Sequence, residues 1–391
     1  MDIFRTRTEL YVISVSVFFA DFGTGMLIPL IPLYITRLSG SIDLSLAIKS
    51  ALVFSVFGIF AAASYPVMGR LSDRLDMRKP FVLAGLIGFV VLSAACANID
   101  TFEQLLIIRV AQGIMVGVMV PAILVMLTHV STPENRGRSM GIYSTIRGTG
   151  SAIGPATGGV IAGFWGFDAG FYACAALGLV SILLVSIFVN ETHEIPETPK
   201  TRDISEKRTE FNSNSDIKLL AYATFTTMLA IMIVATLLPV YELHLNASIG
   251  GLGIALSAHF SARLIFQTPI GILSDRIGKR KLVVTGLLAT ALLLVGMAYT
   301  TTTLQLLTLM FIAGITSAVV NVPALASGAD LSSPGMVGQQ MSLFPMVSAI
   351  GMVIGPLLGG MFATYLGFAS PFYICAGLMV MVGVLIVKGQ S

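Results

Sequence analysis

Four charged residues lie inside long apolar runs of this chain, and they are the ones placed to do chemistry: Asp21, Arg109, Arg147 and Arg263. An ionised Asp at the centre of an apolar span costs at least about 2.5–3.5 kcal/mol by insertion scales. Asp21 must therefore face a cavity, pair with a cation or take up a proton. Two readings follow. Asp21 alternates between protonated and ionised states with Arg109 or Arg147 as its partner, or it forms a static pair that fixes helix packing. Gln112 follows Arg109 at a helical spacing of three. Farther on, His259, Arg263 and Gln267 recur at spacings of four, which predicts one shared helix face. They line a cavity from the second half, or they pair locally.

The elements that must carry these residues are membrane spans. Of the 391 residues, 55% are hydrophobic and 11% are charged, against about a quarter charged in soluble domains. A spanning helix needs roughly 20 apolar residues. Twelve such runs fit, near 10–36, 47–69, 80–97, 103–128, 138–163, 170–189, 218–241, 249–271, 281–299, 304–326, 339–364 and 371–387. Asp21 is then about 16 Å deep in a core of about 30 Å, and Arg147 about 14 Å deep. The first run is too long for a signal-peptide core and is read as a span.

Charge placement sets orientation. Of 23 Lys and Arg residues, 18 fall on one side, from Arg5 and Arg7 through the loops around Arg74, Arg138, Arg208 and Arg280 to Lys388. Arg37 and Lys49 fall on the other. The basic side is expected to be the cytoplasm, with both termini there. The basic runs are topology signals, and no nucleic-acid partner is expected. Cys96, Cys174 and Cys375 sit in apolar runs without metal or disulfide spacing.

The chain also repeats itself. GRLSDRLDMRK at 69–79 returns as GILSDRIGKRK at 271–281, an offset of 202. Gly154-Pro155 and Gly158-Gly159 return as Gly355-Pro356 and Gly359-Gly360, and GFDAGFYACA from Gly166 returns as GFASPFYICA from Gly367, both at 201. Two six-span halves in the same orientation follow, with a substrate path between them. The expected organisation is an N-terminal bundle over 1–189, a polar cytoplasmic linker over 190–217 and a C-terminal bundle over 218–391.

At these motifs the sequence resembles the major facilitator superfamily, and within it the twelve-span drug/proton antiporters. Gly69, Leu71, Asp73 and Arg74 match the family's loop after helix 2, and Gly271, Leu273, Asp275, Arg276, Gly278 and Lys279 match its second copy. The first copy departs at Asp76, usually Gly, and at Met77, usually basic. Leu106, Arg109, Gln112 and Gly113 match the helix-4 motif. Gly141, Gly150, Gly154, Pro155, Gly158 and Gly159 match the helix-5 motif associated with antiporters; its second copy has Ser342 in place of the leading Gly. The resemblance implies that Asp73 contacts the end of helix 11 and helps latch the cytoplasmic side, with Asp275 and Arg276 in the matching loop. It implies an all-α major facilitator fold and proton-driven export of drugs or related amphipathic molecules.

Gly150, Gly154 and Gly158 share one face that lets helices approach closely, and their repetition suggests an interface between the halves. Tyr34 and Tyr241 occupy matching outer ends as anchors, with Tyr34 a possible cavity residue; Glu242 is expected to be solvated. A defined metabolite is the alternative cargo, and a non-transporting receptor or lipid-handling protein the alternative of another class. The absence of GxxxxGK[ST] agrees with a proton gradient as the energy source. No cofactor, metal or enzymatic constellation is expected. The expected partners are membrane lipids, a small-molecule substrate and protons, with the protein a monomer.

Overall fold

A computed structural model describes residues 2–40, 42–129, 136–191, 215–332, 340–341 and 343–388, with side chains from residue 9 onward and excluding 136–138 and 215. Most of the 190–217 stretch, with Lys200, Arg202, Lys207 and Arg208, lies outside the described residues, as do Ser342 and the side chains of Arg5, Arg7, Arg136 and Arg138.

The first bundle contains α1 (Asp2–Tyr34), α2 (Leu46–Leu75), α3 (Lys79–Ala95), α4 (Phe102–His129), α5 (Arg136–Trp165) and α6 (Phe167–Phe188). The second contains α7 (Ser215–Thr236), a short α8 (Leu238–Leu245), α9 (Ile249–Ile277), α10 (Lys279–Ala298), α11 (Thr303–Leu331), α12 (Leu343–Tyr365) and α13 (Ser370–Lys388). The seventh predicted run is thus two helices. Pro239 has no N–H to give to the preceding turn, and its ring clashes with the carbonyl four residues back, so the helix stops and restarts.

Among the described residues, eleven helices are long and apolar enough to cross a membrane. The twelfth, α5, has the length without the hydrophobicity, because it is wedged between helices rather than facing lipid. A Cβ on Gly150 would lie 2.6 Å from the Phe18 carbonyl, and one on Gly154 would lie 2.7 Å from that of Phe22, both on α1. Gly351 and Gly355 of α12 meet Phe225 and Leu229 of α7 in the same way. The glycine face therefore joins helices inside each bundle, which corrects the expectation that it joins the halves. Only the last glycine of each motif reaches across: Gly159 meets Gly253 of α9, and Gly360 meets Ala47 and Ala51 of α2. The small face is needed by the neighbour whose backbone comes closest, and that neighbour belongs to the same half.

The halves touch along α5–α9 and α2–α12, and these contacts gather toward one end. Ser45 and Thr364 share a 2.5 Å hydrogen bond, the Ser55 hydroxyl donates to the Val353 carbonyl at 2.9 Å, and the Ala156 N–H donates to Ser257 Oγ at 2.7 Å. Toward the basic end the same helices separate. Among the described residues, a Cβ on Gly141 would meet nothing within 4 Å, and Leu71, Leu75, Leu273 and Met346 are exposed. The molecule is closed at the end of Ser45 and open at the basic end.

Candidate functional site

Asp21 lies on the side of α1 that packs on α5, between Phe18 and Gly25. Gly25 touches Gly154 and Phe18 touches Gly150, so α5 runs close enough for Arg147, three residues before Gly150, to reach across. Its Nε donates to Asp21 Oδ2 at 2.5 Å. The Asp21 side chain is 15% exposed and that of Arg147 is 50% exposed. The pair thus keeps accessible surface at span depth. Tyr65 of α2 and Tyr143 of α5 stand close enough to feel both charges. Tyr143 precedes Arg147 by four residues, so helical spacing places it on that face. Nothing in the sequence distinguishes Tyr65 from an ordinary span aromatic.

Arg109 is not the partner of Asp21. It is buried inside the first bundle, where Nε donates to the Val53 carbonyl at 3.1 Å and Nη1 to Gln112 Oε1 at 2.8 Å. Its guanidinium lies 4.1 Å from the centre of the Phe57 ring. Gln112 passes the chain on to Ser93 Oγ at 3.2 Å. A carbonyl, an amide and a π-face receive this charge, which makes Arg109 a strut between α2, α3 and α4.

The His259, Arg263 and Gln267 set divides. His259 is buried and turns toward α11, whose Gly314 packs on its carbonyl. Among the described residues its Nδ1 has no hydrogen-bond partner. Arg263 and Gln267, partly exposed, lie farther around the helix. Spacings of four drift by about 40° per step at 3.6 residues per turn, enough to move a side chain from one neighbour to the next over two steps. The second bundle carries a neutral polar cluster that sequence reasoning missed: Asn321 Nδ2 donates to Thr227 Oγ1 at 3.0 Å and to the Ser317 carbonyl at 2.7 Å.

Tyr34 is no cavity residue. It is buried, and its hydroxyl donates to the Ile99 carbonyl at 3.0 Å. Tyr241 repeats this in the second half, donating to the Met297 carbonyl at 2.8 Å. Both tie bundle elements together rather than anchoring at a lipid surface. Glu242, on α8 beyond the end of its span, is not fully solvated: Oε2 is buried without a partner among the described residues. Burial raises its carboxyl above the ordinary range, and the Arg37 charge partly opposes this.

At the open end, Asp73 pairs with Arg78 at 2.9 Å. Arg78 is fully buried; it also donates to Ser72 Oγ, and its backbone N–H donates to Glu191 Oε1 at 2.7 Å. In the second half Lys279 bridges Asp275 at 4.0 Å and Asp330 at 2.5 Å, and Arg280 pairs with Asp216. Arg74 and Arg276 are exposed at their helix ends. Gly69 faces Pro121 and Gly271 faces Val322, each 3.6 Å from a Cβ position. Among the described residues, each loop is tied within its own half, and Asp73 does not touch α12.

Two helical bundles, a cavity between them open at one end, and an ion pair at span depth define a membrane transporter that works between two bundles. A family model described as Major Facilitator Superfamily matches residues 13–244 and 220–389, and the chain belongs to that family. Relatives include the multidrug resistance protein MdtG of Proteus mirabilis, 27% identical over 382 residues that cover 95% of this chain and 93% of that one. MdtG of Yersinia enterocolitica is 28% identical over 379 residues, covering 95% and 90%. Among solved structures, a bacterial homolog of the human lysosomal transporter Spinster, described as inward-facing and occupied, superposes with a TM-score of 0.78 at 17% identity, covering 97% and 96%. A peptide transporter POT in complex with sulfate gives 0.73 at 14% identity, covering 97% and 94%.

Proposed function

We propose that this chain is a proton-coupled exporter of drugs or related amphipathic small molecules, working by alternating access in the cytoplasmic membrane with both termini in the cytoplasm. On this reading the open basic end faces the cytoplasm, and the conformation described is ready to load substrate. The observation that carries the proposal is the Asp21–Arg147 pair, which stands at span depth and yet keeps accessible surface. A proton arriving at Asp21 removes its charge and releases Arg147; deprotonation restores the pair. The kinship with multidrug resistance proteins supports the choice of cargo.

Alternation requires the present contacts to part and the open end to close. The close approaches at Gly159–Gly253 and Gly360–Ala47 give the halves smooth surfaces on which to pivot. Asp73, Asp275 and Arg276 then come to the closing end, where the latch role belongs. No nucleotide is required. One charge crossing 100 mV releases about 2.3 kcal/mol, enough to hold a gradient of roughly 40-fold. The bundles act as units over about 1–189 and 218–391, joined by the polar linker.

The test is uptake of a panel of labelled drugs, sugars and amino acids into liposomes carrying the purified protein under an imposed pH gradient. Drug accumulation that collapses when a protonophore is added is the expected result. Silence across the panel contradicts the proposal.

A further inference from the structure

We infer that Arg263, with Gln267 one turn along α9, is an oxyanion anchor in the central cavity, so that the favoured cargo is an amphipathic molecule bearing a negative group. The inference rests on the reading of that cavity as the transport path. The faces of α9 are assigned by what they touch. Ile254, Ile265 and Ile272 are exposed on one side. Gly253 and Leu264 meet α5, with Ser257 receiving an α5 N–H, and His259 and Ala262 meet α11. The side left over, opposite the exposed isoleucines, carries positions 256, 260, 263 and 267 at helical spacing. Arg263 is on that inward side and partly exposed.

Among the described residues, no hydrogen-bond acceptor or carboxylate meets the Arg263 guanidinium within bonding distance. Asp21 is the single carboxylate of the described spans that lies away from a helix end, and its charge is matched by Arg147. Arg109 is sealed within the first bundle by Val53, Gln112 and Phe57. The charge that remains facing the cavity is therefore that of Arg263. It stands level with the Asp21–Arg147 pair, since Leu264 touches the Cβ position of Gly148 at 3.3 Å. A guanidinium presents a planar fork that fits a carboxylate or sulfonate with two parallel hydrogen bonds, and it repels a cation. Gln267 adds an amide donor and acceptor beside it. A structural arginine would have its partners in place, as Arg109 has.

The experiment compares probes with one ring body and different charge, on the full chain in lipid nanodiscs. These are 8-anilino-1-naphthalenesulfonate, an anion, and N-phenyl-1-naphthylamine, which is neutral, with tetraphenylphosphonium as a cationic competitor. Displaceable binding of the anion should weaken about tenfold in Arg263→Gln and recover partly in Arg263→Lys, while the neutral probe stays within about twofold of wild type. Anion binding unchanged in Arg263→Gln, equal losses for both probes, or more effective displacement by tetraphenylphosphonium than by an anionic competitor would overturn the inference and leave the transport path standing. Absence of displaceable binding of either probe to the wild-type protein would sink the inference and the path reading together.

Discussion

Arg147 rather than Arg109 meets Asp21 because α5, not α4, is the helix whose glycines let it lie against α1. The sequence exposed both arginines as anomalies of burial, but it could not rank them. Rank depends on which neighbour is close, and that is a tertiary fact. The same limit explains Tyr34 and Glu242, each legible as a polar group near a helix end and each misjudged in its surroundings. Glu242 yields a pH prediction. Burial raises its carboxyl in the folded protein above the ordinary glutamate range. The folded state therefore holds that proton more tightly than the unfolded chain, and stability falls as pH rises through the raised folded-state pKa. Thermal unfolding in detergent should show this slope, and Glu242→Gln should flatten it; an unchanged slope would place the titration elsewhere. Asp76 gives a second test. It caps α2 in the left-handed region at φ 48°, where the second copy of the motif has Gly278 at φ 105°. Asp76→Gly removes a Cβ from that conformation and should stabilise the protein by up to about 1 kcal/mol, read as a higher unfolding temperature.

At the scale of elements, most of the fold was legible. Twelve runs, their order and their twofold repetition follow from hydropathy and from landmarks spaced 201–202 residues apart. What the runs do not carry is their neighbours. Glycines at a spacing of four announce a close approach without saying to what, and the answer is α1 and α7 inside the halves. The Pro239 break was readable in principle, since proline has a fixed effect on the preceding turn. The hydroxyl clamp from Tyr241 to Met297 is the element-scale device most open to test. Tyr241→Phe leaves the ring packed among Phe368 and Phe372 and removes one buried hydrogen bond. The expected loss is about 0.5–1.5 kcal/mol, because the Met297 carbonyl keeps the Thr300 hydroxyl as a donor at 3.0 Å. Gly253→Val should act on function instead. A Cβ there would lie 2.3 Å from the Pro155 carbonyl, so the closed end cannot seal and driven transport should drop at least about tenfold while the helical circular dichroism is retained. Wild-type transport in that variant would mean that the α5–α9 contact is dispensable.

At the scale of the whole molecule, the conformation was the feature least accessible to sequence, because both end states use the same residues and differ only in which contacts are made. The closed end is marked by Ser45 and Thr364 in direct contact across the halves. Cysteines at these two positions should cross-link in resting membranes and halt transport until reduced. The native Cys96, Cys174 and Cys375 are all buried and offer little competition. A pair that cross-links only after substrate is added would assign the resting state to the opposite conformation. The claim on which everything else depends is that Asp21 exchanges protons between two accessible states, and the most direct measurement is transport by Asp21→Asn in proteoliposomes, with and without a pH gradient. If Asp21 carries the proton, the variant still exchanges labelled for unlabelled drug at a rate within about twofold of wild type, while gradient-driven accumulation, which one charge at 100 mV can raise to roughly 40-fold, falls to simple equilibration. Accumulation that survives in Asp21→Asn would contradict the claim, and loss of both activities together with lower thermal stability would reduce the Asp21–Arg147 pair to a packing device.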